Sequence, residues 1–215
     1  MINIRHENKD EFKLVEAKTR DAFWNLYVPG CNEHLIVHHL RDSADYIPDL
    51  SFIIEKDGEI IGSIFYSKSK IVTDTGSDLE TITFGPVSIV QEFQGQGYGR
   101  QLITYTIAQA KAAGYAAIII GGYPKHYERY GFVGAKKYGL RLADGNYYTG
   151  MMALPLKAHA FEGKQGIIQF SAVLEDSPEN ELMNFDQNFS NKEKLVTASQ
   201  REFEQAVSEI DTREF

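Results

Sequence analysis

The sequence predicts an α/β fold: a mixed, twisted central sheet with helices on both faces, plus a small α/β extension at the C-terminal end. Three observations carry this. Apolar residues switch between helical and strand periods along residues 2–156. One stretch, AAIIIGG at 116–122, is a short continuous apolar run of the kind buried on both faces of a sheet. Beyond residue 158 the composition changes. Residues 160–215 hold 12 Asp/Glu against 5 Lys/Arg, whereas residues 1–159 hold 18 against 17. The expected division is therefore a main domain at 1–157 and an acidic extension at 158–215 packed on it.

Residues 2–6 (INIRH) read as a short strand. Phe12, Val15, Ala22, Phe23 and Leu26 fall at helical spacing and predict a helix over 9–28, stopped by Pro29-Gly30. Residues 33–42 read as a second helix. Two β-rich runs then flank Asp57-Gly58, a hairpin signal. A polar loop at 74–78 leads to a strand at 80–90 that contains Gly85-Pro86. Proline cannot donate to a ladder, so this strand is expected to bulge or part from a neighbour there. Leu102, Ile103, Ile107 and Ala110 mark one face of a helix ending at Gly114. Residues 123–132 read as a short helix with Pro124 near its start and Gly131 as its stop. Residues 148–156 and 166–174 read as strands, and 178–188 and 199–210 as short acidic helices.

Composition removes several function classes. The chain has 215 residues, 43% hydrophobic and 24% charged, with a formal charge of −8. No basic face is available for a nucleic-acid backbone. No apolar run reaches bilayer length, and residues 1–12 are too charged for a signal peptide, so a cytoplasmic protein without a membrane partner is expected. The single cysteine, Cys31, excludes an internal disulfide and a cysteine-rich zinc site, and as a nucleophile it lacks a complete triad. His34 and His38 share a helix face, but no third ligand follows at zinc-protease spacing, so no metal is expected.

The decapeptide QEFQGQGYGR, residues 91–100, places three glycines between a strand and a helix. The first amides of a helix lack intrahelical partners and, with the helix dipole, favour an anion. Small residues let a phosphate approach them. The spacing Gly95-x-Gly97-x-Gly99 differs from the dinucleotide fingerprint, and no Gly-Lys-Ser/Thr follows as in a P-loop. A pyrophosphate site and a plain flexible turn both fit the local residues.

Gln94-x-x-Gly97-x-Gly99 after an apolar strand resembles the acyl-CoA signature of the GNAT superfamily of N-acetyltransferases, Gln/Arg-x-x-Gly-x-Gly/Ala. GYPKHYERYGF (122–132) is similar to that family's next motif, and the resemblance covers residues 2–156. AFWNLYVPGCNEH (22–34) and the acidic extension resemble a bacterial subgroup whose acceptors are undefined. The resemblance implies a splayed pair of parallel strands, 80–90 and 116–121. It implies acetyl-CoA as co-substrate, without metal, and direct transfer to an amine in a ternary complex. The pyrophosphate would lie on Gln94, Gly95, Gln96, Gly97, Tyr98, Gly99 and Arg100, with Arg100 or Lys136 at the outer phosphates. Val87 and Ile89 would pair with the pantetheine arm, and Tyr127 would be the general acid.

Acetyl transfer requires a deprotonated amine and a proton for the departing thiolate, and a phenol is protonated at neutral pH. Candidate bases are Asp78, Glu80, Glu33 and His34. Trp24, Tyr27 and His34 are candidates to line an acceptor pocket for a small-molecule or peptide amine. The competing readings are a non-catalytic acyl-CoA-binding module, its cleft blocked by the extension, and a nucleotide-binding protein using the same loop. Oligomeric state, a homodimer included, stays open.

Overall fold

The structure, a computed structural model, describes residues 1–175 and 177–215. Among these residues nine strands make one mixed sheet: β1 (Ile2–Arg5), β2 (Phe52–Lys56), β3 (Glu59–Thr73), β4 (Leu79–Ile89), β5 (Ala117–Gly121), β6 (Val133–Gly134), β7 (Leu140–Arg141), β8 (Met151–Pro155) and β9 (Gly166–Gln169). The order is β1-β2-β3-β4-β5-β8-β6, with β9 paired to both β3 and β7. Neighbours are antiparallel except β4–β5 and the short β7–β9 pair. The helices are α1 (Phe12–Phe23), α2 (Glu33–Leu40), α3 (Tyr98–Ala112), α4 (Pro124–Tyr127), α5 (Glu179–Asp186) and α6 (Ala198–Ser208). None among the described residues is long and apolar enough to cross a membrane.

The two faces follow from alternation along β3, shifted by one residue at the irregularity where Ile61 falls between the partners of Ile54 and Glu55. Ile61, Ile64 and Tyr66 point into a core with Leu102 and Ile103 of α3. Ile60 and Phe65 point the other way, to Val15 of α1 and Val37 and Leu40 of α2. The Tyr66 hydroxyl donates to Thr106 Oγ1 at 3.0 Å, so a fully buried polar group also fixes α3 against the sheet. Asp57 and Gly58 both take positive φ, 51° and 86°, as a tight hairpin between β2 and β3 requires.

Several elements are shorter than their sequence patterns suggest. The first helix stops at Phe23, and Asn25 sits at φ 59°. Its side-chain oxygen accepts from the Gly30 and Leu195 amides, a local competitor to helix bonding. The short helix at 124–127 tightens to a 3-10 turn at 128–130 before Gly131 at φ 92°. The strand at 166–174 ends at Gln169 and is followed by a 3-10 turn at 172–174. In β4, Val87 pairs with Ile64 and Phe84 with Tyr66, so Gly85 and Pro86 together oppose Phe65 and form the expected bulge.

Two buried polar clusters hold the helices. Arg41 donates to both Glu7 carboxylate oxygens at 2.8 Å and to Glu16 Oε1 at 2.5 Å. Burial pushes the Glu7 carboxyl up despite the adjoining guanidinium. Asp186 at the end of α5 accepts from Arg20 Nε at 2.8 Å and from His34 Nε2 at 2.9 Å. The other His34 nitrogen faces the Cys31 sulfur at 3.6 Å, so the neutral ring satisfies both neighbours. Burial lowers the His34 pKa to about 4.

Arg41→Met strands the buried Glu7 carboxylate and leaves the buried Glu16 carboxylate only His38, and is expected to cost about 3–5 kcal/mol in urea unfolding. His34 titrates near 6.5 once unfolded, so the unfolded chain binds more protons between pH 6.5 and 4. Its contribution is therefore complete above pH 6.5 and lost as pH falls toward 4. His34→Gln keeps a donor and removes the titration. The urea midpoint of this variant should fall less than that of the parent between pH 7 and 4.

Candidate active site

β4 and β5 share one register pair, Ile82 with Ile118. Beyond it the strands part, and a cavity of about 320 Å³ opens between residues 83–87 of β4 and residues 121–123 at the end of β5. On the near side of β4, the Val90 amide donates to the Ile61 carbonyl of β3 at 2.9 Å. Backbone groups alternate in direction along a strand, so those of Val87 and Ile89 point away from β3, into the gap. The Ile89 carbonyl accepts Gln94 Nε2 at 2.8 Å, which fastens the glycine loop to the strand end.

The loop runs from that strand end into α3. Gly95 and Gly97 take φ 72° and 88°, a region that favours glycine, and Gly97 is the N-cap of α3. A Cβ at either position would meet nothing within 4 Å, so the space in front of both is open. Among the described residues, none of the six amides from Gly95 to Arg100 has a hydrogen-bond partner at good geometry. The loop is exposed, and Arg100 is exposed beside it. Converging free amides at the start of a helix of 15 residues favour a bound anion.

Tyr127 stands in the cavity wall at the end of α4. Its ring packs on Phe84 and Phe132, with centroids 5.8 and 6.0 Å away. Gly122 makes the room, since a Cβ there would lie 2.7 Å from Tyr127 Cε2. Burial pushes the phenol up to about 12, with the neighbouring Tyr130 adding to it, and no hydrogen bond opposes the rise.

The remaining wall is aromatic. Tyr27 stacks on Phe203 of α6 at 4.0 Å and 23°, and Tyr123 lies 5.7 Å from Phe203. Burial raises the Tyr27 phenol, helped by Tyr127, Glu33 and Tyr123, so these groups feel one another. Phe23 and Ile36 from the helical side and Phe170 and Leu174 from the extension complete the lining, and Glu33 and His126 add the ionisable side chains.

The structure thus brings Val87, Ile89, the stretch 94–100, Tyr127, Tyr27 and Glu33 to one region. Other candidates lie elsewhere. Trp24 donates its indole N–H to the Glu193 carbonyl at 2.9 Å beneath the Arg20 guanidinium, because α1 ends one residue earlier and Trp24 diverges from Tyr27. His34 is held by Asp186 behind the cavity wall. Asp78 pairs with Lys70, Glu80 is exposed on the far end of β4, and neither lines the cavity. Lys136 donates to the Asp211 carbonyl at 2.8 Å, toward the C-terminal segment and not toward the loop. His126 was legible as the neighbour of Tyr127 on the same short helix. Phe170, Leu174 and Phe203 carry no such local signal.

Known proteins share this fold. A family model described as Acetyltransferase (GNAT) domain matches residues 48–134, which span the hairpin, β4, the glycine loop, β5 and Tyr127. The uncharacterized N-acetyltransferase YhbS of Escherichia coli (strain K12) is 28% identical over 157 residues, covering 73% of this chain and 91% of its own. The crystal structure of YhbS from Escherichia coli in complex with CoA superposes with a TM-score of 0.67 at 24% identity, over 80% of this chain and 91% of that one. A GNAT family acetyltransferase from Brucella melitensis in complex with acetyl-CoA gives a TM-score of 0.66 at 24% identity, over 81% and 99%. A parted pair of parallel strands, a glycine loop capping α3 and the matched sequence agree: residues 48–134 match the GNAT acetyltransferase domain, and the chain shares the fold of these N-acetyltransferases.

Proposed function

We propose that this protein transfers an acetyl group from acetyl-CoA directly to an amine of a small molecule or peptide, both substrates being bound together. One observation carries the reading. The free edge of β4 beyond Ile82 leads straight into six amides without partners, and the cavity beside that edge contains Tyr127. An anionic pyrophosphate suits the loop, an amide-bearing arm suits the outward groups of Val87 and Ile89, and the thioester then falls at the cavity. The two similar structures from Escherichia coli and Brucella melitensis hold CoA and acetyl-CoA.

In this reading Gly95 to Arg100 bind and orient the diphosphate through main-chain N–H groups, with Arg100 adding positive charge at its edge. Val87 and Ile89 pair with the pantetheine amides in the manner of an added strand. The amine nitrogen attacks the thioester carbonyl carbon, the new N–C bond forms and the C–S bond breaks. The sulfur takes a proton from the Tyr127 hydroxyl. The proton lost by the amine goes to Glu33, directly or through water. The extension walls the cavity without filling it, which favours catalysis over a binding module with a blocked cleft.

Tyr127→Phe should lower kcat by about 10²-fold, the usual worth of a positioned proton donor. Acetyl-CoA affinity measured by calorimetry should hold. With the phenol near 12, the parent's rate should rise with pH as the amine loses its proton and show no falling limb below pH 10. Unchanged turnover in the variant across that range removes the acid role.

Gly97→Ala places a methyl in the space in front of the amides and pays about 1–2 kcal/mol for the left-handed conformation. The variant should fold with a lower melting temperature and bind acetyl-CoA at least about tenfold more weakly. Undiminished binding by a folded Gly97→Ala protein would sink the phosphate assignment.

A further inference from the structure

We infer that the acceptor is a small primary amine carried on a flat apolar or aromatic body, and that Phe203 of the C-terminal extension sets this preference. The inference rests on the acetyltransferase reading and names the substrate class for that site.

Size is the first argument. A cavity of about 320 Å³ is at the small end of ligand pockets, enough for one compact molecule beside the transferred acetyl group. Charge is the second. Among the described residues no lysine or arginine lines the cavity, so an acidic acceptor meets no counter-charge there, whereas the carboxylate of Glu33 suits an ammonium. Shape is the third. Tyr27 and Phe203 stack on each other at 4.0 Å and offer the cavity their edges and outer faces, and Tyr123 meets the same phenyl group from a tilted angle. Flat aromatic or aliphatic matter is what such walls accept, since ring faces and edges favour it over a solvated polyamine.

Phe203 is held in place by several bonds and is not a loose flap. The first turn of α6 is tied to the residues that immediately precede Tyr27. Thr197 Oγ1 donates to the Asn25 carbonyl at 3.0 Å, Ser199 Oγ to the Leu26 carbonyl at 2.8 Å and Gln200 Nε2 to the Asn25 carbonyl at 3.1 Å. The same few residues therefore set the positions of both rings of the stack.

The test follows free thiol released from acetyl-CoA by the full chain. The probes are 2-phenylethylamine and tryptamine, against spermidine and a lysine-containing peptide. The two arylalkylamines should exceed the others in kcat/KM by about tenfold or more. Phe203→Ala should raise KM for 2-phenylethylamine about two- to tenfold, the worth of one aromatic contact, with kcat and acetyl-CoA affinity held. Phe203→Leu keeps the apolar bulk without the flat face and should fall between, which covers an alanine variant that folds poorly. Preference for spermidine or the peptide, or an unmoved KM in both variants, overturns the inference and leaves the acetyltransferase reading intact. Failure of the parent to bind acetyl-CoA removes both.

Discussion

Two parallel strands that share one register pair, Ile82 with Ile118, leave a row of backbone groups on each without a ladder partner. In a closed core each such group would cost on the order of 1–3 kcal/mol. Here the groups border a cavity, so water or a ligand can satisfy them, and the parting is tolerated. Its origin lies in β4. Gly85 and Pro86 together oppose Phe65, which bends the strand while its pairing with β3 resumes at Val87. β4 thus keeps one neighbour along its whole length and loses the other halfway.

The glycine loop inherits its position from that strand. Val90 is bonded to β3, Ile89 accepts the Gln94 side chain, and α3 begins at Tyr98. α3 cannot drift, because Leu102 and Thr106 are fully buried and Tyr66 is bonded to Thr106. The free amides therefore face the solvent from a fixed frame. A ligand that binds them need not first order the loop, which lowers the entropic cost of association.

Much of the central machinery was legible because its signals are local. The hairpin at Asp57-Gly58, the apolar run of β5, the bulge at Gly85-Pro86 and the loop ahead of α3 are each signalled within a window of about ten residues. The aromatic wall of the cavity was not legible, for a physical reason. Helical periodicity continues through Leu26, but the Asn25 side chain captures the amides of Gly30 and Leu195, and this breaks the helix and sends Trp24 and Tyr27 in different directions. His34 looked available for chemistry, yet its partner Asp186 is 152 residues away. Phe203 meets Tyr27 across a comparable distance in sequence, and no pattern around either residue announces the other. β9 likewise comes from beyond residue 158 and still joins the main sheet, so the change in composition does not coincide with a break in hydrogen bonding.

The acidity of the extension takes on a different meaning in this setting. As a sequence feature it reads as solvated surface, and most of its acids are exposed. A few, however, do the docking. Asp186 receives Arg20 and His34, Glu181 faces His39, and the fully buried Asp211 side chain is held by Arg213 while its carbonyl accepts Lys136. Each draws on a base or histidine of the main body or of the C-terminal segment itself, so these acids are offset locally where the two meet. The extension can therefore lie against the body without accumulating like charge, and its aromatic residues reach the cavity as wall. In this protein the aromatic wall of the cavity depends on contacts between the first 40 residues and the last 50, while the glycine loop beside it is positioned by neighbours in the chain.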